Sequence, residues 1–365
     1  WTNLTNLTVG ASTAINASAK GCTSATSSNG FGPNTSNVCV VGGSGAGVGS
    51  SSGGAGAGGS GHGGTGGTSS SAHAGGGTFG SATAPDRMGP SGGSMGSALG
   101  GAGGGLVRIN VSGTLTHNGA ISVNGGNGAV ISSQAGGGGA GGAISITAAT
   151  INGTTGTFSA TGGNGADNTA DGGGGGGGRI AIVHNTGTYT FDAADFDMSG
   201  GVGPGAALDG VKGTVYVNNP GLNTVRIFHG FTFADADFNV ASWTVDPSAT
   251  NQYCDTTLAA SATPSVTATG AISLDGVMNC APTATIASLT YASTANNITI
   301  AASASSTVKG GQIMTTPNTL SIGNNADIAT SGTAAGGLTL TAGGTFSVGS
   351  GVTVTSAGTN SDINF

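Results

Sequence analysis

The chain has 365 residues, 77 of them glycine, with only 6% charged residues, 5% aromatic residues and a formal net charge of −7. All 14 acidic residues are aspartate and the good helix formers are scarce, which excludes a helical protein, and so little charge is unusual for an aqueous enzyme. Seven Lys and Arg cannot neutralise a phosphate backbone, nine prolines without a strict glycine period cannot make collagen, and the abundance of β-branched residues is not that of a disordered chain.

The chain begins Trp1-Thr2-Asn3, without an initiator methionine, as expected of a mature or excised chain. Residues 1–41 read as a first β rung followed by a disulfide loop: NLTVGASTAINASAKG (6–21) is strand, glycine turn and second strand. The four cysteines are Cys22, Cys39, Cys254 and Cys280, an even number in a low-charge chain with 91 Ser and Thr, which suggests an oxidising compartment. Of three connectivities, Cys22–Cys39 with Cys254–Cys280 is expected, because each bond closes a short loop, worth about 3 kcal/mol in the chain-entropy model. Four buried free thiols are the other reading.

Residues 42–105 are a glycine-rich segment. It reads either as a flexible linker or as packed extended helices with three residues per turn, in which glycine lets backbones approach and bond to one another. Gly58, Gly61, Gly64 and Gly67 hold one phase of that period. Residues 106–217 repeat. LVRINVSGTLTHNGAISVNGGNG (106–128), AISITAATINGTTGTFSATGGNG (143–165) and RIAIVHNTGTYTFDAADFDMSGG (179–201) align Val107 with Ile144 and Ile180, and Ile109 with Ile146 and Ile182. Apolar residues alternate with period two, so each unit predicts two strands, a turn and a glycine excursion. One unit cannot bury its apolar face alone, and parallel stacking of the units predicts a β-solenoid rising about 4.8 Å per rung.

The motifs GHGGTGG (61–67), GAGGGLVRINVSGTLTHNGAISVNGGNG (101–128), GGGGAGGAISI (136–146), GGGGGGGRIAIV (172–183) and GTVYV (213–217) resemble large glycine-rich secreted bacterial proteins of parallel β-helix, adhesin-like type. The resemblance covers about residues 1–217 and implies a surface-exposed structural or adhesive role; it lends no catalytic residues. Residues 218–290 hold Phe228, Phe231, Phe233, Phe238, Trp243, Tyr253 and the second cysteine pair, and read as an aromatic-containing β segment, either a sandwich-like insertion or a broad solenoid section. Residues 291–365 return to solenoid grammar, as in TLSIGNNADIATSG (319–332).

No catalytic constellation emerges. Asp192, Asp195 and Asp197, like Asp235 and Asp237, read as turn carboxylates rather than the tuned pair that acid–base chemistry needs. Cofactors are not expected, although a structural calcium is conceivable at Asp167 and Asp171 in GGNGADNTA (162–170) and its flank, or at Asp192, Asp195 and Asp197, since turns supply the oxygens calcium requires. His62, His73, His117, His184 and His229 lack zinc-ligand spacing, and His62 and His73 are expected to hydrogen-bond across the glycine segment. Asp86-Arg87 reads as a loop pair pinning a turn. The seven N-x-[ST] sequons are what 27 asparagines produce by composition. Thr267/Thr269, Thr339/Thr341 and Thr353/Thr355 read as isolated Thr-x-Thr pairs, not a ladder.

The expectation is a non-enzymatic extracellular structural protein: an all-β parallel solenoid with a polyproline-II-like glycine segment, serving as a filament subunit or an adhesin shaft. Head-to-tail self-association through strand edges would use WTNLTNLTV (1–9) and GVTVTSAGTNSDINF (351–365), with Trp1, Leu4, Leu7, Val352, Val354, Ile363 and Phe365 at the joint. A glycan or cell-surface receptor is a further partner; nucleic acid and a membrane span are not expected. The alternatives are a polysaccharide-binding or polysaccharide-cleaving β-helix, with a groove near Trp243, Tyr253 or Tyr216, and an ice-binding solenoid.

Overall fold

The computed structural model describes residues 4–51, 55–233, 238–246, 251–254, 265–274, 277–280, 288–309, 311–331, 337–356 and 363–364. The chain divides into two compact units, Trp1–Tyr216 and Val217–Phe365. Regular structure is almost all β; the 3-10 turn Ala193–Asp195 is the one helical element among the described residues.

The first unit is built on two parallel sheets. Leu7–Val9, Leu106–His117, Ala143–Asn152 and Arg179–Thr186 lie side by side in one. Ala14–Asn16, Ala120–Ser122, Thr157–Ser159 and Phe196–Asp197 lie side by side in the other. Each sequence repeat therefore gives one strand to each sheet. The predicted alignment is the observed register: Val107 faces Ile144, which faces Ile180, and Ile109 faces Ile146, which faces Ile182. All six are buried, while the intervening Arg108 and Asn110 point outward, as alternation requires. In the second sheet Ile15, Ile121, Phe158 and Phe196 form the matching column. The Leu106–His117 strand carries a bulge between Val111 and Thr114, where the Ser112 and Gly113 N–H groups donate to the Leu4 and Thr5 carbonyls at 2.8 Å each.

The glycine runs of this unit form a hydrogen-bonded layer. They are joined backbone to backbone: Gly126 N–H donates to Ala102, Gly139 to Gly126, Gly163 to Gly139, Gly175 to Gly163, Gly201 to Gly175 and Gly210 to Gly201, at 2.7–2.9 Å. The 42–105 segment enters the same layer, since Ser60 N–H donates to Gly138, Gly67 to Gly174, Gly93 to Gly58 and Gly101 to Gly137. Its described part is thus built in rather than a loose linker. Close approach is what demands glycine: a Cβ on Gly138 would overlap the Gly163 carbonyl oxygen, and one on Gly174 would overlap that of Gly201.

From Thr224 onward the described strand pairs of the second unit are parallel; the turn of Pro220 to Asn223 joins Thr224–Phe228 to its sheet neighbour Thr214–Asn219. One sheet runs Thr224–Phe228, Ser242–Val245, Ile272–Leu274, Ile298–Ile300, Leu320–Ile322 and Phe346–Val348. A second runs Phe238–Val240, Ser265–Ala268, Ser288–Ser293, Gly311–Thr316, Leu338–Ala342 and Ile363–Asn364. A third joins Val277–Cys280, Ser305–Lys309, Asp327–Ser331 and Thr353–Ser356, and the Gly230–Phe233 and Asn251–Cys254 strands pair with each other. Buried columns run through these sheets, among them Val266, Tyr291, Met314 and Leu340, each at most 1% exposed. Phe228, Phe231 and Trp243 are buried in the same strand system, so these three aromatics are core residues of parallel strands; the side chains of Phe233, Phe238 and Tyr253 lie outside the described part.

Ile146→Ala should lower unfolding stability by about 2–5 kcal/mol through lost burial and an unfilled cavity. Gly138→Ala, which adds one methyl to an apparently simple residue, should cost about 1–3 kcal/mol through overpacking against backbone. Both are read by chemical denaturation.

Candidate assembly site

In the second unit, one column reads Trp243, Ile272, Ile298, Leu320 and Phe346, and its neighbour Val245, Leu274, Ile300, Ile322 and Val348. Every member is at most 2% exposed until the last strand, where Phe346 is 36% and Val348 49% exposed. Core-phase apolar side chains thus reach the surface where the sheet ends. In the first unit the outermost strand of the longer sheet is Leu7–Val9, with Thr8 exposed between half-buried Leu7 and buried Val9. A cleft of about 270 Å³ is lined by Ile15, Asn16, Ala17, Leu106, Val107 and Arg108.

The predicted edge residues fall as follows. Leu4 bridges to Val111 and Leu7 pairs with Leu115. Val354 pairs with Ile328, and Val352 lies just before that strand. Ile363 pairs with Leu338 through its backbone. Trp1 and Phe365 lie outside the described residues, as do Asp235 and Asp237.

Cys22 and Cys39 form a disulfide with a Cα–Cα distance of 5.5 Å. It holds the antiparallel hairpin of Phe31–Pro33 and Cys39–Val41. The adjoining loop is tied by the Asp86–Arg87 ion pair at 3.2 Å, with the Arg87 guanidinium donating to the Asn34 carbonyl at 2.7 Å. The backbones of Cys254 and Cys280 end the Asn251–Cys254 and Val277–Cys280 strands, but the pairing of their side chains lies outside the described part. Compared with known proteins, the chain matches no family model, no curated protein and no solved structure. Among the described residues no helix is long and apolar enough to cross a membrane.

The aspartates have local structural partners. Asp192 caps the 3-10 turn by accepting from Ala194 N–H at 2.8 Å, and Asp195 returns a bond from Asp192 N–H at 2.9 Å. Asp197 accepts from Ser199, and Asp171 from Asn168 N–H. Among the described residues no three His, Cys, Asp or Glu side chains converge to hold a metal. The aromatic groove expected near Trp243 and Tyr216 is not formed by them: both are buried, and burial pushes the Tyr216 phenol up to about 12.

Asparagine is the residue type whose role the sequence did not reveal. Side-chain amide oxygens accept backbone N–H groups one repeat further on: Asn118 from Thr154, Asn124 from Thr161, Asn127 from Asn164, Asn152 from Thr188 and Asn164 from Val202, at 2.8–3.1 Å. Asn297 and Asn324 do the same in the second unit, to Thr319 and Ser350. The recurrence of GGNG at 125–128 and 162–165 was the available signal. These bonds also occupy sequon asparagines such as Asn6, Asn152 and Asn297.

His62 and His117 are fully buried. The His62 Nδ1 lies 2.9 Å from the Gly141 carbonyl, as expected of a bond across the glycine layer, and its ring stacks on Phe79. His117 packs on Phe158 with ring centroids 4.4 Å apart. Burial, with the Arg179 guanidinium nearby, lowers His62 from 6.5 to about 3, and burial lowers His117 to about 4. Both histidines bind protons more readily when unfolded. Their contribution to stability is therefore complete above pH 6.5 and is lost as pH falls through the folded-state values, at about 1.4 kcal/mol per pH unit for each. Thermal unfolding between pH 7.5 and pH 4 should show that loss, and His117→Phe should flatten the slope.

Proposed function

We propose that the chain is a non-catalytic extracellular structural protein, a subunit of a surface filament or the shaft of an adhesin, that self-associates head-to-tail through its outermost strands. On this reading both units are parallel β-solenoids, and the glycine runs are polyglycine-type helices of three residues per turn packed as a layer. The observation that carries it is the column that stays buried for four strands and emerges at Phe346 and Val348. Strand stacking extends by adding another strand at such an edge. The Cys22–Cys39 disulfide supports an oxidising setting, and the resemblance of residues 1–217 to glycine-rich secreted bacterial proteins supports the same class. Sedimentation of the purified chain should shift to larger species as concentration rises, with filaments in negative-stain images; a chain that stays monomeric at millimolar concentration rules the reading out.

A second reading, ice binding, is favoured by one face of the second unit. Ser265, Thr290, Ile313 and Thr339 form one column, and Thr267, Ala292, Thr315 and Thr341 form the next. The Thr339/Thr341 pair and Thr267 of the Thr267/Thr269 pair, which read as isolated in sequence, thereby contribute to one uncharged array of hydroxyls and methyls, spaced about 4.8 Å apart along the stack. Thermal hysteresis that disappears in Thr315→Lys would support this reading, and freezing behaviour like that of a neutral control protein would exclude it.

A further inference from the structure

Five asparagines are followed directly by glycine: Asn29, Asn118, Asn127, Asn152 and Asn164. In an Asn-Gly pair the glycine nitrogen can attack the asparagine side-chain carbonyl, because no Cβ shields it. We propose that Asn152 is a self-modifying site, at which the fold directs closure of a cyclic imide with Gly153 and its opening by water to aspartate or isoaspartate. The site lies inside the first unit and does not depend on how copies of the chain meet.

The nucleophile is the first distinction. Gly30 N–H donates to the Gly47 carbonyl, Gly119 to Val9, Gly128 to Asn164 and Gly165 to Val202, at 2.9–3.1 Å. Each of these bonds must break before its nitrogen can react. The Gly153 N–H makes no hydrogen bond to any described residue. Its φ of 140° suits glycine alone, and a Cβ there would overlap the His117 carbonyl oxygen, so the position stays glycine. The electrophile is the second distinction. The side-chain oxygens of Asn29, Asn118, Asn127 and Asn164 each accept one backbone N–H. That of Asn152 accepts two donors, the Thr188 N–H at 3.1 Å and the Thr188 hydroxyl at 3.3 Å. Paired donors on one carbonyl oxygen stabilise the negative charge that builds there when the carbon is attacked. Asn152 and Gly153 are half-buried, so water reaches them. In the step, Gly153 N bonds to Asn152 Cγ and its proton passes to solvent hydroxide. The Cγ–Nδ2 bond breaks, and the nitrogen takes a proton from water and leaves as ammonia. Water then adds to either imide carbonyl, giving aspartate or isoaspartate. Isoaspartate lengthens the main chain by one methylene where the Ala143–Asn152 strand meets its turn, and moves the acceptor away from Thr188.

The test incubates the folded full chain at mildly alkaline pH and follows each Asn-Gly peptide by mass spectrometry, with isoaspartate separated by chromatography. Asn152 should convert several-fold faster than Asn29, Asn118, Asn127 and Asn164. In denaturant, where the local sequence alone acts, all five should convert at similar rates. Thr188 is exposed, so Thr188→Val keeps its shape and removes only the hydroxyl; it should slow Asn152 several-fold and leave the other four unchanged, and Thr188→Ser should restore the rate. An Asn152 that stays unmodified in the folded chain, or converts no faster than the other four, overturns the proposal. So does a folded Thr188→Val chain that converts at the wild-type rate. If Thr188→Val does not fold, the ratio of Asn152 to the other four, folded against denatured, decides alone.

Discussion

A buried peptide group left without a hydrogen-bond partner costs about 1–3 kcal/mol, and glycine has no side chain with which to compensate. The glycine layer of the first unit buries such groups from Gly56 to Gly64 and again from Gly136 to Gly142 and Gly172 to Gly178. Most are satisfied by another backbone at hydrogen-bonding distance, with the Ser71 and Ser60 hydroxyls accepting from Gly56 and Ala140, and the backbone approach leaves no room for a Cβ. The relay from Ala102 through Gly126, Gly139, Gly163 and Gly175 to Gly201 meets this requirement. Because each run is continuous with the strand that follows it, as Gly172–Gly178 is with Arg179–Thr186, strand register and glycine register constrain each other. Val107, Ile144 and Ile180 align partly because Gly105, Gly142 and Gly178 must; Ala143 N–H donates to Gly105 and Arg179 N–H to Gly142, both at 3.0 Å.

The same constraint explains the composition. A chain that spends its hydrogen-bonding capacity between neighbouring segments has little use for charge inside, and its turns favour residues that bond locally. Asp192 and Asp195 close a turn on each other's backbone, and Asn127 and Asn164 tie one repeat to the next. Glutamate, one methylene longer and a helix former, fits neither duty well. The buried cation Arg179 is accommodated by directed bonds, from Nε to the Phe79 carbonyl at 2.8 Å and from Nη1 to the Thr214 hydroxyl at 3.2 Å.

The strands of the first unit were legible because its apolar alternation recurs at nearly constant spacing, and the Cys22–Cys39 bond because the loop is short. The asparagine stitches were not, because a lone turn asparagine looks the same whether it bonds its own loop, as Asn16 does to Ser18, or the next repeat, as Asn124 does to Thr161. The threonine columns were hidden by irregular spacing. Thr290 follows Ser265 by 25 residues, Ile313 follows Thr290 by 23, and Thr339 follows Ile313 by 26. In that unit the inward column of Val266, Tyr291, Met314 and Leu340 sets the register and the loops absorb the difference, so the outward face has no period a linear reading could detect.

Register set from inside also explains which positions are free to vary. Within the stack a strand must present apolar side chains at alternate positions in one phase, as Ile272 and Leu274, Ile298 and Ile300, and Leu320 and Ile322 do, whereas the residue between them is Ser273, Thr299 or Ser321. The first unit obeys a second condition as well, because a Cβ at Gly138 or Gly174 would overlap a neighbouring carbonyl oxygen. Its register is therefore held twice, by the apolar columns of its strands and by the backbone relay of its glycines, whereas in the second unit the apolar columns alone account for the register described above.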